Sequence, residues 1–328
     1  RAGLLQTGTP DRAAALLAAE NTLREIAPST LESFMKQERR RLQARIARLR
    51  GDFQTARRLL RTTTGKNDRL LAESVRVELD DQKIQDARKL LQERFLERNL
   101  PSAELHYLHL VCLEELRMLA RRTGRPELAA SFPAQLETQA TLAMQVPDRY
   151  WSARAADYWN LALAIRKHGS TVANARHRAE GLYRAGLIDE ALESYVVAGH
   201  AAEKTGQAQL AISLAFTRGS ILLKADRHET AAAVFDELAR HQPAHQYSAT
   251  SHLLWAWCLG RRFHDDPAPE KRQAFQTALR AHRTKYPRGR TFGEATWLLA
   301  GLVESSRRYD QARKAEGAMN LRVEVEHR

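Results

Sequence analysis

Turn formers are scarce in this chain of 328 residues, which has only 16 glycines and 10 prolines. An all-β protein of that length needs more of both, so the shortage points to helix. Cysteine is scarcer still. Cys112 and Cys258 stand alone, too far apart for a metal-type pair or a disulfide framework, and two free thiols inside helices are expected rather than one bridge. No apolar run approaches the roughly 18 residues of a membrane span; the best, HLLWAWCLG at 252–260, falls well short. Catalytic signatures are missing too: there is no G-x-S-x-G, H-E-x-x-H or G-x-G-x-x-G. TTTGKND at 62–68 carries a Gly-Lys pair. It lacks a glycine five residues before Gly65, and Asn67 replaces the Ser or Thr that would hold magnesium, so a solvated loop is expected. No catalytic residue, metal or cofactor is expected, and the chain reads as a non-enzyme.

What is abundant is arginine. The formal charge is +13, and 42 of the 52 basic residues are arginine. Such a balance favours acidic partners, although codon bias in a GC-rich genome produces the same skew without selection for binding. The length suits two domains or an extended array. An opening Arg1 in place of methionine is what a processed product or an excised piece would show. Apolar residues recur at i, i+3, i+4 and i+7 through most of the chain, in LAAENTLREI and LLQERFL for example, and no period-two strand of useful length competes.

Self-similarity is the strongest signal. In AEGLYRAGLIDEALESYVVAG, at 179–199, Gly186 lies five before Ala191, Tyr195 four after it and Ala198 seven after it. Asp226, Ala231, Phe235 and Leu238 fill the same slots, with Pro243 closing the helix. So do Gly51, Ala56 and Leu60; Gly124 and Ala129; Gly8, Ala13 and Leu17; Gln82, Ala87 and Leu91; and Arg307 with Ala312. Successive slot alanines lie 43, 31, 42, 62, 40 and 81 residues apart, and the two long gaps each leave room for a further unit, the second at 252–287.

This pattern resembles the tetratricopeptide repeat, whose pitch is about 34 residues. Here the pitch is nearer 40, and the family's early Trp and Leu-Gly pair survive mainly as Gly219. The resemblance implies an all-α, right-handed solenoid of seven to nine antiparallel helix pairs, arranged as 1–145 and 146–328 in one array. Trp151, Tyr158 and Trp159 mark 130–175 as a joint between sub-arrays. Small residues would let helices approach, the aromatic would fill the gap between neighbouring pairs, and Gly186 would permit the turn.

In that family the first helix of each pair lines a concave groove. Carried onto this sequence, that register puts Glu38, Arg41, Arg45, Arg48, Arg69, Ala72, Arg76 and Leu79 there, so five arginines would share one groove. Further along it puts Arg176, Glu180, Phe216 and Trp297 in the groove. Glu180 stands where the family's clamp for peptide C-termini needs Asn, which argues against that use. ERRRLQARIARLR has few acidic neighbours in sequence, so pairing within the helix cannot absorb its charge. Two histidine groups, His106/His109/Cys112/Glu115 and His241/His245/His252, have spacings that admit either metal ligation or ordinary packing, and packing is expected.

Three functions follow from these readings. The leading one is a scaffold that holds a protein or peptide segment, its N-terminal half taking acidic side chains and its C-terminal half apolar ones around Phe216 and Trp297. The second is nucleic-acid binding through the arginines. Against it, Phe53 is the one aromatic interleaved in the 39–61 cluster, where single-strand binders alternate bases with rings. The third is a periplasmic envelope-assembly helper, since FDELARHQP and AHRTKYPRGRTFGEATWLLAGL look like helix junctions of bacterial tetratricopeptide proteins of that compartment.

Overall fold

The computed structural model describes residues 10–26, 32–61, 67–97, 100–241 and 245–305. Among them every regular element is helix, and no helix is long and apolar enough to cross a membrane. In chain order these are α1 (Pro10–Glu25), α2 (Ser33–Leu49), α3 (Phe53–Arg61), α4 (Asp68–Asp80), α5 (Ile84–Phe95), α6 (Ala103–Arg122), α7 (Pro126–Ala130), α8 (Phe132–Gln145) and α9 (Arg149–His168). Then follow α10 (Ser170–Arg184), α11 (Ile188–Lys204), α12 (Ala208–Lys224), α13 (His228–His241), α14 (Ser248–Asp265) and α15 (Pro269–Lys285). Residues 292–305 are helical as well. The chain divides into two compact units, 1–163 and 164–328. In the first, α1 to α8 pack each on its successor, and α2 also packs on α4, α4 on α6 and α6 on α8. In the second, α10 to α15 pack each on the next.

One turn geometry recurs. At the end of α10, Gly186 adopts φ +79°. Its N–H donates to the Tyr183 carbonyl, and the Leu187 N–H reaches back to the Leu182 carbonyl, both at 3.0 Å. This double closure satisfies carbonyls that the helix end would otherwise leave without partners. The Leu187 carbonyl then accepts from the Ala191 N–H at 3.0 Å, which starts α11. The same hydrogen bonds surround Gly51, Gln82, Gly124, Gly206 and Asp226, all with positive φ. Five residues after each comes a buried alanine: Ala56, Ala87, Ala129, Ala211 and Ala231, like Ala191. The alanine is thus the first residue to close an i→i−4 bond in the new helix, and a larger side chain there would strike the helix just left. Gln82 and Asp226 hold the left-handed conformation at a cost of about 1–2 kcal/mol each, which shows how firmly the closure is imposed.

Three expectations need correcting. Ala13 and Leu17 do not fill their slots: Ala13 is exposed, Leu17 is 53% exposed, and α1 instead buries Leu16 and Leu23. An Ala- and Leu-rich helix offers more than one apolar face, so spacing alone misassigned it. Gly8, Gly65, Pro243, Arg307 and Ala312 lie outside the described residues. Second, Phe235 lies over Gly219 of its own pair, α12 with α13, rather than filling a gap between pairs; a Cβ at Gly219 would stand 2.8 Å from the ring. The unit expected at 252–287 repeats this, with the Phe275 ring against Gly260. Third, the second helix after Gly124 is broken. Pro133 has no N–H to give and its ring would strike the Ala129 carbonyl, so α7 stops and α8 restarts at Phe132.

Gly219 supplies a test with a sign. The Phe235 ring is fully buried and cannot swing aside, so Gly219→Ala is expected to lower the unfolding free energy by about 1–3 kcal/mol. At Gly199, mid-helix, an added methyl would meet only open space, and the same change is expected to raise it by about 0.5–1 kcal/mol. Urea denaturation of both variants checks the opposite signs.

Candidate binding cavity

The five N-terminal arginines picked from the sequence line one cavity. It measures about 850 Å³ and is walled by Arg41, Arg45 and Arg48 of α2, by Arg69, Glu73, Arg76, Leu79 and Asp80 of α4, and by residues of α6 and α9. Alternate helices α2, α4 and α6 lie side by side, so a helical face repeated along them makes a continuous wall. Of the other two positions in that register, Glu38 pairs with Arg41 at 2.5 Å and Ala72 is buried between helices.

The cavity holds six guanidiniums and four carboxylates, and they are not evenly matched. Glu73 is buried to 1% exposure. A carboxylate so deep requires a cation, and Arg48 supplies it through Nε at 2.7 Å while its Nη1 binds Asp80 at 2.5 Å. Burial works against the Arg48 charge, but Glu73 and Asp80 more than overcome it, so this guanidinium holds its proton more tightly than a free one. Arg76 binds Glu104 at 2.5 Å and approaches Glu73 at 3.8 Å. The hydrogen bond to Glu38 likewise tightens the Arg41 proton. Nearby, Arg57 is held by Glu78 at 2.7 Å and by Asp81, and Arg50 by Glu20 at 2.5 Å. Of the six arginines in the ERRRLQARIARLR stretch, Arg48 and Arg50 are met by carboxylates of other helices and Arg41 by Glu38 within α2, so one pair inside the helix leaves most of the charge to be met elsewhere. Arg45 and Arg69 are exposed and have no ion pair among the described residues.

The sequence reading missed Arg154 and the rings around it. Asp148 caps α9, its Oδ1 accepting from the Tyr150 and Trp151 N–H groups at 2.9 and 3.1 Å. That start places Tyr150 and Trp151 four and three residues before Arg154, on its face of the helix. The Arg154 guanidinium lies 5.4 Å from the Tyr107 ring centre, 5.9 Å from Tyr150 and 6.0 Å from Trp151. Trp151 faces Arg76 at 5.5 Å as well. The signal was present in PDRYWSAR: an Asp cap, two rings and an arginine at helical spacing. Aromatics are thus not absent from the arginine wall, since rings from α6 and α9 reach it through packing rather than through sequence proximity.

The remaining candidates, Arg176, Phe216 and Trp297, lie in the second unit. Arg176 pairs with Glu180 at 2.7 Å on its own exposed helix face. Phe216 is half-buried, stacked on Tyr247 at 4.5 Å and edge-on to Phe235 at 5.7 Å. Trp297 is 75% exposed. Among the described residues no group of three His, Cys, Asp or Glu side chains is placed to hold a metal ion. In the first histidine group, His106 and His109 pack on Phe95, and the Gln139 amide donates to the His106 carbonyl at 2.9 Å. Burial pushes the Cys112 and Cys258 thiols up to about 12, so both are inert. In the second group the His241 side chain lies outside the described residues. His252 instead meets a residue the sequence reading left out, His282, with their Nδ1 atoms 3.4 Å apart and Thr291 Oγ1 2.9 Å from His282 Nε2.

No protein-family model matches this sequence, and no curated protein matches it significantly.

These buried histidines make stability depend on pH. Burial, with His252 adding, pushes His282 down to about 4, and burial, with His106 and Arg88 adding, does the same to His109. Unfolded, each takes its proton near pH 6.5. Below that the unfolded chain binds more protons than the folded one, so stability present above about pH 6.5 is lost as pH falls toward 4. Urea denaturation at pH 7.5, 5.5 and 4.5 is expected to show a progressive loss, and His282→Gln a shallower one over the same range.

Proposed function

We propose that the chain is a non-enzymatic scaffold of stacked helix pairs, of the right-handed tetratricopeptide kind, and that its first unit holds an acidic segment of a partner protein. The observation that carries this is the imbalance inside the cavity. Arg41, Arg48 and Arg76 are engaged by carboxylates of the protein, whereas Arg45 and Arg69 present guanidiniums with no ion pair among the described residues. Each can take a carboxylate bidentately. Such bonds contribute less in an open, wet groove than in a dry one, so several weak contacts along an extended segment suit this wall better than one deep anchor. The repeat reading rests on the six equivalent turns and on Gly219 and Gly260 under Phe235 and Phe275.

Nucleic acid is the second reading, favoured by Tyr107, Tyr150 and Trp151 standing beside the arginines. Against it stands Glu115 in the same wall, a carboxylate without an ion pair among the described residues, which repels a continuous phosphate backbone. Glutamate side chains, each on its own rotatable stem, can turn away from it.

Fluorescence anisotropy with a labelled deca-glutamate peptide, a deca-lysine peptide and a single-stranded oligothymidylate separates these readings. The glutamate peptide is expected to bind the full chain, and Arg45→Glu/Arg69→Glu to weaken it at least tenfold. Tighter binding of the oligothymidylate, with affinity falling steeply as salt rises, would favour the second reading. Equal binding of glutamate and lysine peptides would remove the acidic-segment reading.

A further inference from the structure

We infer that Arg154 is the principal docking group for an acidic side chain in this cavity, and that Tyr107, Tyr150 and Trp151 hold it ready; this rests on the reading of the first unit as the site for an acidic segment. A protein can order an arginine in two ways. A carboxylate fixes the side chain and cancels its charge in the same stroke, as Glu73 and Asp80 do for Arg48. An aromatic ring fixes it through the attraction between the cation and the π-face, and the ring stays neutral. Arg154 is held by neutral groups, ring faces and a phenol hydroxyl, with no carboxylate partner among the described residues. Three rings lie within 6.0 Å of its guanidinium carbon, and Nη1 donates to the Tyr150 hydroxyl at 3.2 Å. The side chain is exposed, and no carboxylate pairs with it among the described residues. Its full charge therefore faces the cavity, on a side chain already ordered before any ligand arrives, which lowers the cost of binding.

The surroundings select the ligand. A guanidinium stacked on rings still presents its N–H edge, and that planar fork matches one carboxylate. Arg45 and Arg69 in the same wall would take further acidic groups along the segment. Glu115, also in the wall and without an ion pair among the described residues, would receive a cation from it. A segment of mixed charge, with acidic side chains dominant, meets both requirements, whereas a polyphosphate meets only the first.

The test uses the full chain and the labelled deca-glutamate peptide, with folding checked by circular dichroism. Arg154→Gln is expected to weaken binding at least tenfold. Arg154→Lys keeps the charge but loses the planar fork and much of the stacking, and is expected to lose most of that affinity too. Tyr150→Leu removes no charge and is expected to weaken binding severalfold, an effect that simple charge attraction would not produce. Arg178→Gln, on an exposed face of α10, is expected to bind as wild type does. If wild type binds the peptide and Arg154→Gln stays within twofold of it, the assignment of Arg154 is overturned while the acidic-segment reading stands. If Arg154→Lys binds like wild type, charge alone suffices and the stacked fork is refuted. If wild type fails to bind the peptide, or binds oligothymidylate more tightly in competition with it, the acidic-segment reading falls and this inference with it.

Discussion

Everything in this chain depends on how a helix is allowed to end. Six times among the described residues the backbone turns through a residue of positive φ, closes two hydrogen bonds onto the helix behind, and starts the next helix on an alanine five residues later. That closure leaves little freedom in the rotation of one helix about its axis relative to the next. The turn at Gly51 sets α3 against α2, and the turn at Gln82 sets α5 against α4. Where α2 packs on α4, the arginines at helical spacing on the two helices share one cavity, despite their mutual repulsion.

The repulsion is resolved by distribution rather than by avoidance. Glu73 sits in the interior of α4 and is reached by Arg48 from one side and Arg76 from the other. Glu104 on α6 takes the rest of Arg76, and Asp80 takes the second edge of Arg48. The wall is thereby divided into arginines that hold helices together and arginines that face the cavity. The first group is costly to disturb, because removing a partner strands a buried charge. The second group costs the fold almost nothing to keep. Arg154 belongs to the second group by a different route, ordered by rings instead of carboxylates.

Much of this was legible in the sequence, and the reasons for the rest are physical. The five-residue offset from Gly186 to Ala191 found five of the six closures, because a left-handed residue and a buried small residue are separate demands that seldom coincide by chance. It missed Gly206 with Ala211, whose segment TGQAQLA carries the same offset between α11 and α12. It misled at Ala13, where an alanine-rich helix satisfies the spacing without being buried. The groove register placed Arg41, Arg45, Arg48, Arg69 and Arg76 together. It said nothing of their partners, since Glu73 and Asp80 lie 25 and 32 residues from Arg48 in the chain. The rings of Tyr107 and Trp151 were illegible as neighbours of the arginines for the same reason. In a stacked-helix fold the sequence shows each helix face plainly and the pairing between faces only through the turns.

Thermal and urea denaturation of Arg48→Gln beside Arg45→Gln shows whether the arginines divide in this way. Arg48→Gln leaves Glu73 buried with only the longer contact from Arg76, so a loss of at least about 2 kcal/mol is predicted. Arg45→Gln removes an exposed charge without an ion pair among the described residues, so a change within about 0.5 kcal/mol is predicted. Equal effects from the two substitutions, or a larger one at Arg45, would mean that Arg48 does not hold the helices together and that no such division exists.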